Sequence, residues 1–358
     1  MHLESLTIRN FRNHHFLTQD FSPKLNIVSG ENGAGKTNLI EAIYFLSLAR
    51  SFRVQNDLEL IEKGQSQASI EARIVEGKIT RKIDIVIQNS GKRIFINGKP
   101  ISRLSELSKA VNIILFEPRD VMLFRGLPKE RRNYLDINLS KKSTAYLEYI
   151  SQYEKVLKER NEILKQDQID PQLLQINTDL LIKTSGPIVT YRQKYVKDIN
   201  DILKKVVRAL MGESGNVEIH YDPFVKYDSR FQENAKNAFL RAQESDIRRK
   251  ITSIGIHRED FAVMLNGHNI AVYGSQSENR LVALAVKLSP YFLIEDKDKR
   301  PIVILDDVLS ELDVNHQERL IKFLKKFEQV FITATKLEVG DAKTYTLCKK
   351  GEYLDGRE

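Results

Sequence analysis

Apolar and polar residues alternate through residues 3–8 and again through 16–21, which predicts two strands around the polar turn Asn10-Phe11-Arg12-Asn13. The short apolar run Leu25-Asn26-Ile27-Val28 predicts a third strand. From Asn38 the spacing turns helical, with Leu39, Ala42, Ile43 and Leu46 on one face. Alternation returns over 69–75 and 79–87, and the strand-like Arg93-Ile94-Phe95-Ile96 runs into Asn97-Gly98, the strongest short signal for a two-residue hairpin turn. An antiparallel β layer is therefore expected after the first helix. Residues 111–116 read as a further buried strand, stopped by Pro118.

From Lys129 the character changes to long charged helices. One carries Tyr146, Ile150, Tyr153, Leu157 and Leu164 at helical spacing, and a later one carries Ile188, Tyr191, Tyr195, Ile199, Ile202, Val206 and Leu210. These stripes are too short for a long coiled coil and predict a short helical hairpin or packing in a second lobe. Pro171 and Gly186-Pro187 predict breaks between helices. From residue 251 short strands return, with Asn266-Gly267 as a second hairpin turn and a helix over 277–288. The expected organisation is discontinuous: residues 1–125 and 251–358 form one lobe, and 126–250 form an inserted, mainly helical second lobe.

A chain of 358 residues accommodates two such lobes. Its formal charge of +8 favours a polyanionic partner. The single cysteine, Cys348, cannot form an internal disulfide, and the first residues, His2-Leu3-Glu4, do not read as a secretory leader, so a cytoplasmic protein is expected. No apolar run reaches the roughly 18 to 20 residues that a membrane-spanning helix requires, so no membrane contact is expected.

The candidate chemistry begins in the run Gly30-Glu31-Asn32-Gly33-Ala34-Gly35-Lys36-Thr37, which fits the phosphate-binding loop G-x-x-x-x-G-K-[ST] between a strand and a helix. The three glycines let successive N–H groups turn inward, and the following helix adds its positive N-terminal end. Lys36 is expected to meet the β- and γ-phosphates of a nucleoside triphosphate, and Thr37 to ligate Mg²⁺. The chain is thus an α/β protein of the P-loop NTPase type. Further on, Pro301-Ile302-Val303-Ile304-Leu305 predicts a buried strand that delivers Asp306 and Asp307 to its exposed end. Adjacent carboxylates repel, and a metal accounts for them better than a turn does. Asp306 is expected to hold Mg²⁺, directly or through water. Asp307 is placed to accept a proton from the attacking water.

Gly274-Ser275-Gln276-Ser277-Glu278 opens a helix before that strand, and Ser310-Glu311-Leu312-Asp313 follows it. The order of loop, insertion, serine turn, acidic strand and S-x-L-D turn resembles the ATP-binding cassette ATPases. In that class the serine turn, here Ser275, contacts the γ-phosphate bound to the other subunit of a head-to-tail pair. The resemblance narrows with Asn10-Phe11-Arg12-Asn13, the loop with its helix 38–44, Arg50-Ser51-Phe52-Arg53, Phe116-Glu117-Pro118-Arg119-Asp120, Arg131-Arg132-Asn133-Tyr134-Leu135-Asp136, Gly255-Ile256-His257-Arg258-Glu259-Asp260 and residues 306–313. Together, in this order and over essentially the whole chain, they are similar to the RecF family of bacterial recombination mediators, soluble relatives of the SMC-type DNA-repair ATPases.

That resemblance implies an ATPase lobe of the ATP-binding-cassette or SMC-head type with an antiparallel β layer and a shorter helical lobe. It also implies ATP-dependent homodimerisation on DNA and slow, DNA-stimulated ATP hydrolysis. RecO and RecR would be partners in placing RecA at gaps in replication and recombinational repair, with a role in SOS induction. The DNA would be duplex or a single/double-strand junction, bound without sequence preference. Three positions depart from the pattern of related proteins: Ser277 stands where glycine is usual in the serine turn, Ala334 where transporter cassettes place a switch histidine, and Ala34 where glutamine is common in the loop. Weak hydrolysis is the consequence expected of Ala334.

Candidate DNA-facing cations are Arg50 and Arg53, Lys92, Lys99 and Arg103, Lys129, Arg131 and Arg132, and Arg248-Arg249-Lys250. His257-Arg258-Glu259-Asp260 reads as an exposed polar turn. No His/Cys cluster has zinc spacing and no serine stands in a nucleophile elbow, so a serine or zinc hydrolase is not supported. A transporter ATPase subunit would carry a fuller signature and a switch histidine, and a small-molecule kinase would lack the Ser275 turn and the S-E-L-D segment. A DNA-bound scaffold that binds ATP without productive hydrolysis shares every motif and is separated only by experiment.

Overall fold

The structure is a computed structural model and describes residues 1–213, 215–348 and 353–354. By their contacts the residues form two compact units. The first comprises Met1–Asp120, Ala209–Met211 and the segment from Leu284 onward, and the second Val121–Arg208 and Gly212–Ala283.

The first unit holds two six-stranded sheets. In the antiparallel one, His2–Phe11 lies between His14–Asp20 and Gln67–Glu76, with Leu6 opposite both Gln19 and Ala72. Ile79–Gln88, Gly91–Ile96 and Lys99–Pro100 continue it. Asn97 and Gly98 close the last hairpin with φ of 51° and 76°. Two successive positive φ angles are what the turn of a tight hairpin demands, and Asn-Gly meets that demand at least steric cost.

The second sheet has the order Tyr353–Leu354, Lys343–Leu347, Leu25–Gly30, Val330–Ala334, Ile302–Leu305, Ile113–Phe116. All its neighbours are parallel except the pair at the C-terminal edge. Its inner strands are buried at nearly every position, as in a sheet covered on both faces. The helix Lys36–Leu48 buries Leu39, Ile40, Ala42, Ile43, Phe45 and Leu46 in one cluster with Leu6, Ile8, Ile70 and Ile85 of the antiparallel sheet and Val28, Ile302 and Phe331 of the parallel one. A helix apolar on most sides belongs between two layers. Gln329 ties the chain ends together, accepting from Leu3 N–H at 2.7 Å and donating to Leu3 O at 2.9 Å.

The second unit contains the helices Pro128–Lys142, Thr144–Lys165, Pro171–Met211 as far as Arg208, and Phe231–Arg249, and a three-stranded sheet. The second and third helices form the expected antiparallel hairpin: Tyr146 packs edge-on against Tyr191, and Arg160 Nε donates to Thr178 Oγ1 at 3.0 Å. In the course and grouping of these elements the structure differs from the sequence reading in two places. Gly186-Pro187 does not end a helix, because Pro171–Met211 runs through it for 41 residues. Pro187 cannot donate to Lys183 O, but Leu181, Ile182, Ile188 and Val189 are buried on either side of the lost bond, and their packing outweighs a penalty of about 3 kcal/mol. The second difference concerns residues 251–283, which the sequence reading put with the end segments. They group with the middle of the chain because Asp260–Leu265 pairs along its length with Val217–Asp222. The turn Asn266-Gly267 closes the hairpin to His268–Asn269, with φ of 51° and 83°.

Candidate nucleotide site

Parallel pairing brings the C-terminal ends of Leu25–Gly30, Val330–Ala334 and Ile302–Leu305 to one edge, Val330–Ala334 lying between the other two. In an open parallel sheet this is the edge where ligands bind. Leu25–Gly30 leads straight into the loop. Gly30, Gly33 and Gly35 all have positive φ, at 146°, 85° and 99°. A Cβ on Gly30 would stand 2.6 Å from Leu347 O and one on Gly35 would stand 2.7 Å from the Asn13 amide, whereas one on Gly33 would meet open space. Glu31, Asn32 and Gly33 are exposed at the crest and Ala34 is buried beneath it. Gly35, left-handed, starts the helix that Lys36 and Thr37 open.

Lys36 Nζ donates to Gly30 O at 2.7 Å and to Glu31 O at 3.0 Å, so the ammonium lies curled over its own loop. Partial burial pushes it below the usual lysine range, opposed by the charges of Asp307 and Asp306. Thr37 Oγ1 donates to Asp306 Oδ1 at 3.3 Å. The same oxygen accepts from Thr333 Oγ1 at 2.7 Å, and Thr333 Oγ1 in turn accepts from Asp307 N–H at 2.8 Å. Burial, with Asp306 only 6% exposed, raises its carboxyl above the usual carboxylate range, and the hydroxyls of Thr333 and Thr37 oppose the shift. A bound cation would offset the cost of keeping that carboxylate ionised. A loop with three glycines at positive φ, a lysine, and a threonine hydroxyl beside a buried carboxylate fit a nucleoside triphosphate with Mg²⁺. Asp307 is exposed and holds φ of 48°, a left-handed conformation uncommon outside glycine, asparagine and aspartate. Beyond it, Ser310 Oγ donates to Asp307 O at 3.2 Å and Asp313 caps the helix Val314–Leu324.

Ser275 belongs to the second unit and precedes the helix Gln276–Leu288. Its N–H and Oγ–H donate to Glu278 Oε2 at 2.8 and 2.7 Å, and Glu278 N–H returns a bond to Ser275 Oγ at 3.3 Å, a capping box. Asn279 Nδ2 holds Gly274 O and Ser275 O, each at 2.8 Å.

Three parts of the site escaped the sequence reading. Thr333 was not singled out; a lone hydroxyl at the C-terminal end of a buried parallel strand was its signal. The turn 10–13 was taken as a connection, yet Asn13 Oδ1 accepts from Asn38 Nδ2 at 2.7 Å, and the adjacent, fully buried His14 places Nε2 3.2 Å from Gly35 O. Arg12 clamps the buried Glu41 of the loop helix with two bonds of 2.8 Å, and Ser51 Oγ donates to the same carboxylate. Arg53 donates to Asn38 Oδ1 at 2.7 Å, joining two of the segments that carried the family resemblance. Among the cations named as DNA candidates, Lys92 is tied to Ala49 O and Asp57, and Arg131 to Asp260. Arg50, Lys99, Arg103, Lys129, Arg248, Arg249 and Lys250 are exposed. No helix among the described residues is long and apolar enough to cross a membrane.

Residues 2–347 match the family model for the RecF/RecN/SMC N-terminal domain. The DNA replication and repair protein RecF of Lactobacillus delbrueckii subsp. bulgaricus is 35% identical over 349 residues, covering 94% of this chain and 92% of that one. RecF of Halalkalibacterium halodurans is 35% identical over 354 residues, covering 96% and 95%. A solved structure of the recombination mediator protein RecF-ATP in the RecFOR pathway superposes with a TM-score of 0.85 at 30% identity, covering 98% of each chain. An Smc head bound to the C-terminal winged-helix domain of ScpA shares the fold alone, with a TM-score of 0.59 at 14% identity over 99% of this chain and 98% of that one. The chain is therefore a member of the RecF family of DNA replication and repair proteins, an ATP-binding ATPase of the SMC-head type.

Proposed function

We propose that this chain binds ATP with Mg²⁺, forms a homodimer around the nucleotide and engages gapped DNA, where with RecR and RecO it directs RecA loading and so supports SOS induction. The observation that carries the nucleotide part is the convergence of Thr37, Asp306 and Thr333 beside a loop already curled by Lys36. Gly30 to Thr37 would surround the phosphates. Lys36 would exchange two loop carbonyls for β- and γ-phosphate oxygens, a replacement of neutral acceptors by charged ones. Thr37 and Asp306 would hold the Mg²⁺, which supplies positive charge to the transferring phosphoryl group. Ser275 of a second copy would complete the γ-phosphate contacts. Asp307 would take the proton of the attacking water as its oxygen bonds to the γ-phosphorus and the bond to ADP breaks. The ATP-containing RecF relative and the family's place in DNA repair support this reading.

Sedimentation with and without ATP, Mg²⁺ and a gapped duplex tests it. The wild type is expected to become a dimer on DNA only with ATP. Lys36→Ala removes a charge-assisted contact and is expected to weaken ATP binding by about 10- to 100-fold and to abolish the dimer. An ATP-insensitive monomer that ignores DNA would sink the reading. A second measurement concerns the DNA contact itself. If about six phosphates are neutralised, log affinity falls against log salt with a slope near −5 and little dependence on sequence; a flat response would count against direct binding.

A further inference from the structure

The turn His257 to Asp260 was expected to be exposed, and most of it is not. Gly255 has φ of 122°, and a Cβ there would stand 2.6 Å from the Tyr153 hydroxyl. His257 Nε2 lies 3.0 Å from Thr252 O and Nδ1 lies 2.7 Å from the Tyr153 hydroxyl. The ring therefore donates to the carbonyl through Nε2 and accepts from the tyrosine at Nδ1, which is the neutral form. Burial pushes its pKa down to about 4, in agreement. The fully buried Glu259 carboxylate accepts from Arg192 Nη1 at 2.6 Å, from the Tyr221 hydroxyl and from Phe224 N–H at 3.1 Å, while Glu259 O accepts from Arg132 Nη1 at 2.8 Å. Asp260 takes both arms of Arg131 at 2.7 Å.

Arg258 is the exception. Its backbone is pinned by a bond from its N–H to Gly255 O at 2.8 Å, but its guanidinium is exposed and makes no hydrogen bond or ion pair with any described residue. The surrounding charges do not cancel. Arg131, Arg132, Arg192 and Arg258 stand against Asp136, Glu259 and Asp260, and the direct ion pairs belong to Arg131 and Arg192. The cations without a direct ion pair are Arg132, bonded to a backbone carbonyl, and Arg258. Arg132 is held below the usual arginine range first by burial and then by the positive charges of Arg192 and Arg258, against Asp260 and Asp136, so the two unpaired cations are near enough to repel. Lys129, exposed, stands one helical turn before Arg132 on Pro128–Lys142.

Because the backbone beneath this guanidinium is already held, binding has only the side chain to order, and neighbouring cations favour a ligand with repeated negative charges over a single carboxylate. We propose that Arg258, with Arg132 beside it and Lys129 one turn earlier, is a preorganised contact for the phosphodiester backbone of DNA on the second unit. This rests on the DNA-binding reading above and locates one of its contacts.

The test is fluorescence anisotropy of a labelled gapped duplex titrated with KCl, using wild type, Arg258→Gln, Arg258→Lys and Lys155→Gln. Lys155 is an exposed cation on Thr144–Lys165 and controls for loss of charge elsewhere. Arg258→Gln is expected to weaken binding severalfold and to flatten the salt slope by about 1, Arg258→Lys to restore the slope, and Lys155→Gln to match wild type. Because the Arg258 guanidinium supports nothing internally, the thermal midpoint should not move. An Arg258→Gln slope equal to wild type overturns the contact while DNA binding stands. A wild type that ignores DNA removes the DNA-binding reading, and the contact with it. If Arg258→Gln instead loses affinity for a fluorescent ATP analogue at an unchanged DNA slope, the turn serves a nucleotide phosphate and the DNA contact is overturned.

Discussion

Asp307→Asn is expected to leave ATP affinity nearly unchanged and to slow hydrolysis by about 10² to 10⁴, or about 3 to 5 kcal/mol of barrier, so that the ATP-bound dimer accumulates on DNA. The substitution suits the backbone. Asp307 holds φ of 48°, and asparagine tolerates that region at least as well as aspartate. Its N–H to Thr333 Oγ1, at 2.8 Å, is a main-chain bond and survives. Neither the Asp306 carboxylate nor Thr37 is touched, so the proposed Mg²⁺ position remains. Only the proposed proton acceptor is lost. The measurement is phosphate release with saturating ATP and gapped duplex, alongside light scattering of the protein–DNA complex. An unchanged rate would remove Asp307 from the chemistry. An unchanged dimer population beside a slowed rate would mean that hydrolysis does not reset the protein, and would favour the scaffold reading.

How much of this was legible in the sequence follows from the range of the interactions involved. The hairpin at Asn97-Gly98 could be read because two adjacent positive φ angles leave few choices of residue. The glycine loop could be read for the same local reason, since Gly30 and Gly35 sit where a Cβ would collide. The strand delivering Asp306 was an apolar run. What could not be read was which strand lies beside which. Thr333 meets Asp306 across 27 positions and Thr37 meets it across 269, and no periodicity within a window of some 15 residues encodes such a meeting. The side chain that joins Asp306 to the backbone of Asp307 was missed for that reason. The same limit explains Arg12 and Glu41, which form one clamp from two segments that the sequence presents only as separate motifs. Pro187 illustrates the opposite error, a strong local rule overridden by packing that is invisible locally.

The interior of the second unit gives the largest expected effect on stability. Arg192, 1% exposed, donates to Glu259 Oε2 at 2.6 Å, to Asp136 Oδ1 at 2.8 Å, to Ile256 O at 3.0 Å and to the Tyr146 hydroxyl oxygen at 3.2 Å. The residue joins the long helix to the helix Pro128–Lys142 and to the turn that carries Arg258. Replacing it with methionine fills much of the volume but leaves the fully buried Glu259 without its cation, and the expected cost is about 3 to 5 kcal/mol. Urea unfolding would report it as a lower midpoint. The pH dependence separates loss of charge pairing from loss of packing. Burial already raises the Glu259 carboxyl above its ordinary range, and the Arg192 charge is the main influence pulling it back. Without Arg192 the folded-state pKa rises further, so the native state binds more protons than the unfolded state, whose glutamates titrate near 4.3. The stability of Arg192→Met should therefore decline as pH rises from about 4 through the raised pKa, and part of it should return on acidification. Adding Glu259→Gln to the variant should remove that pH dependence and recover some stability, because a neutral amide costs far less to bury than an unpaired carboxylate. If the double variant is no more stable than the single one at pH 7, the energy of this centre lies in packing around the arginine stem, and the role given to its charge is wrong.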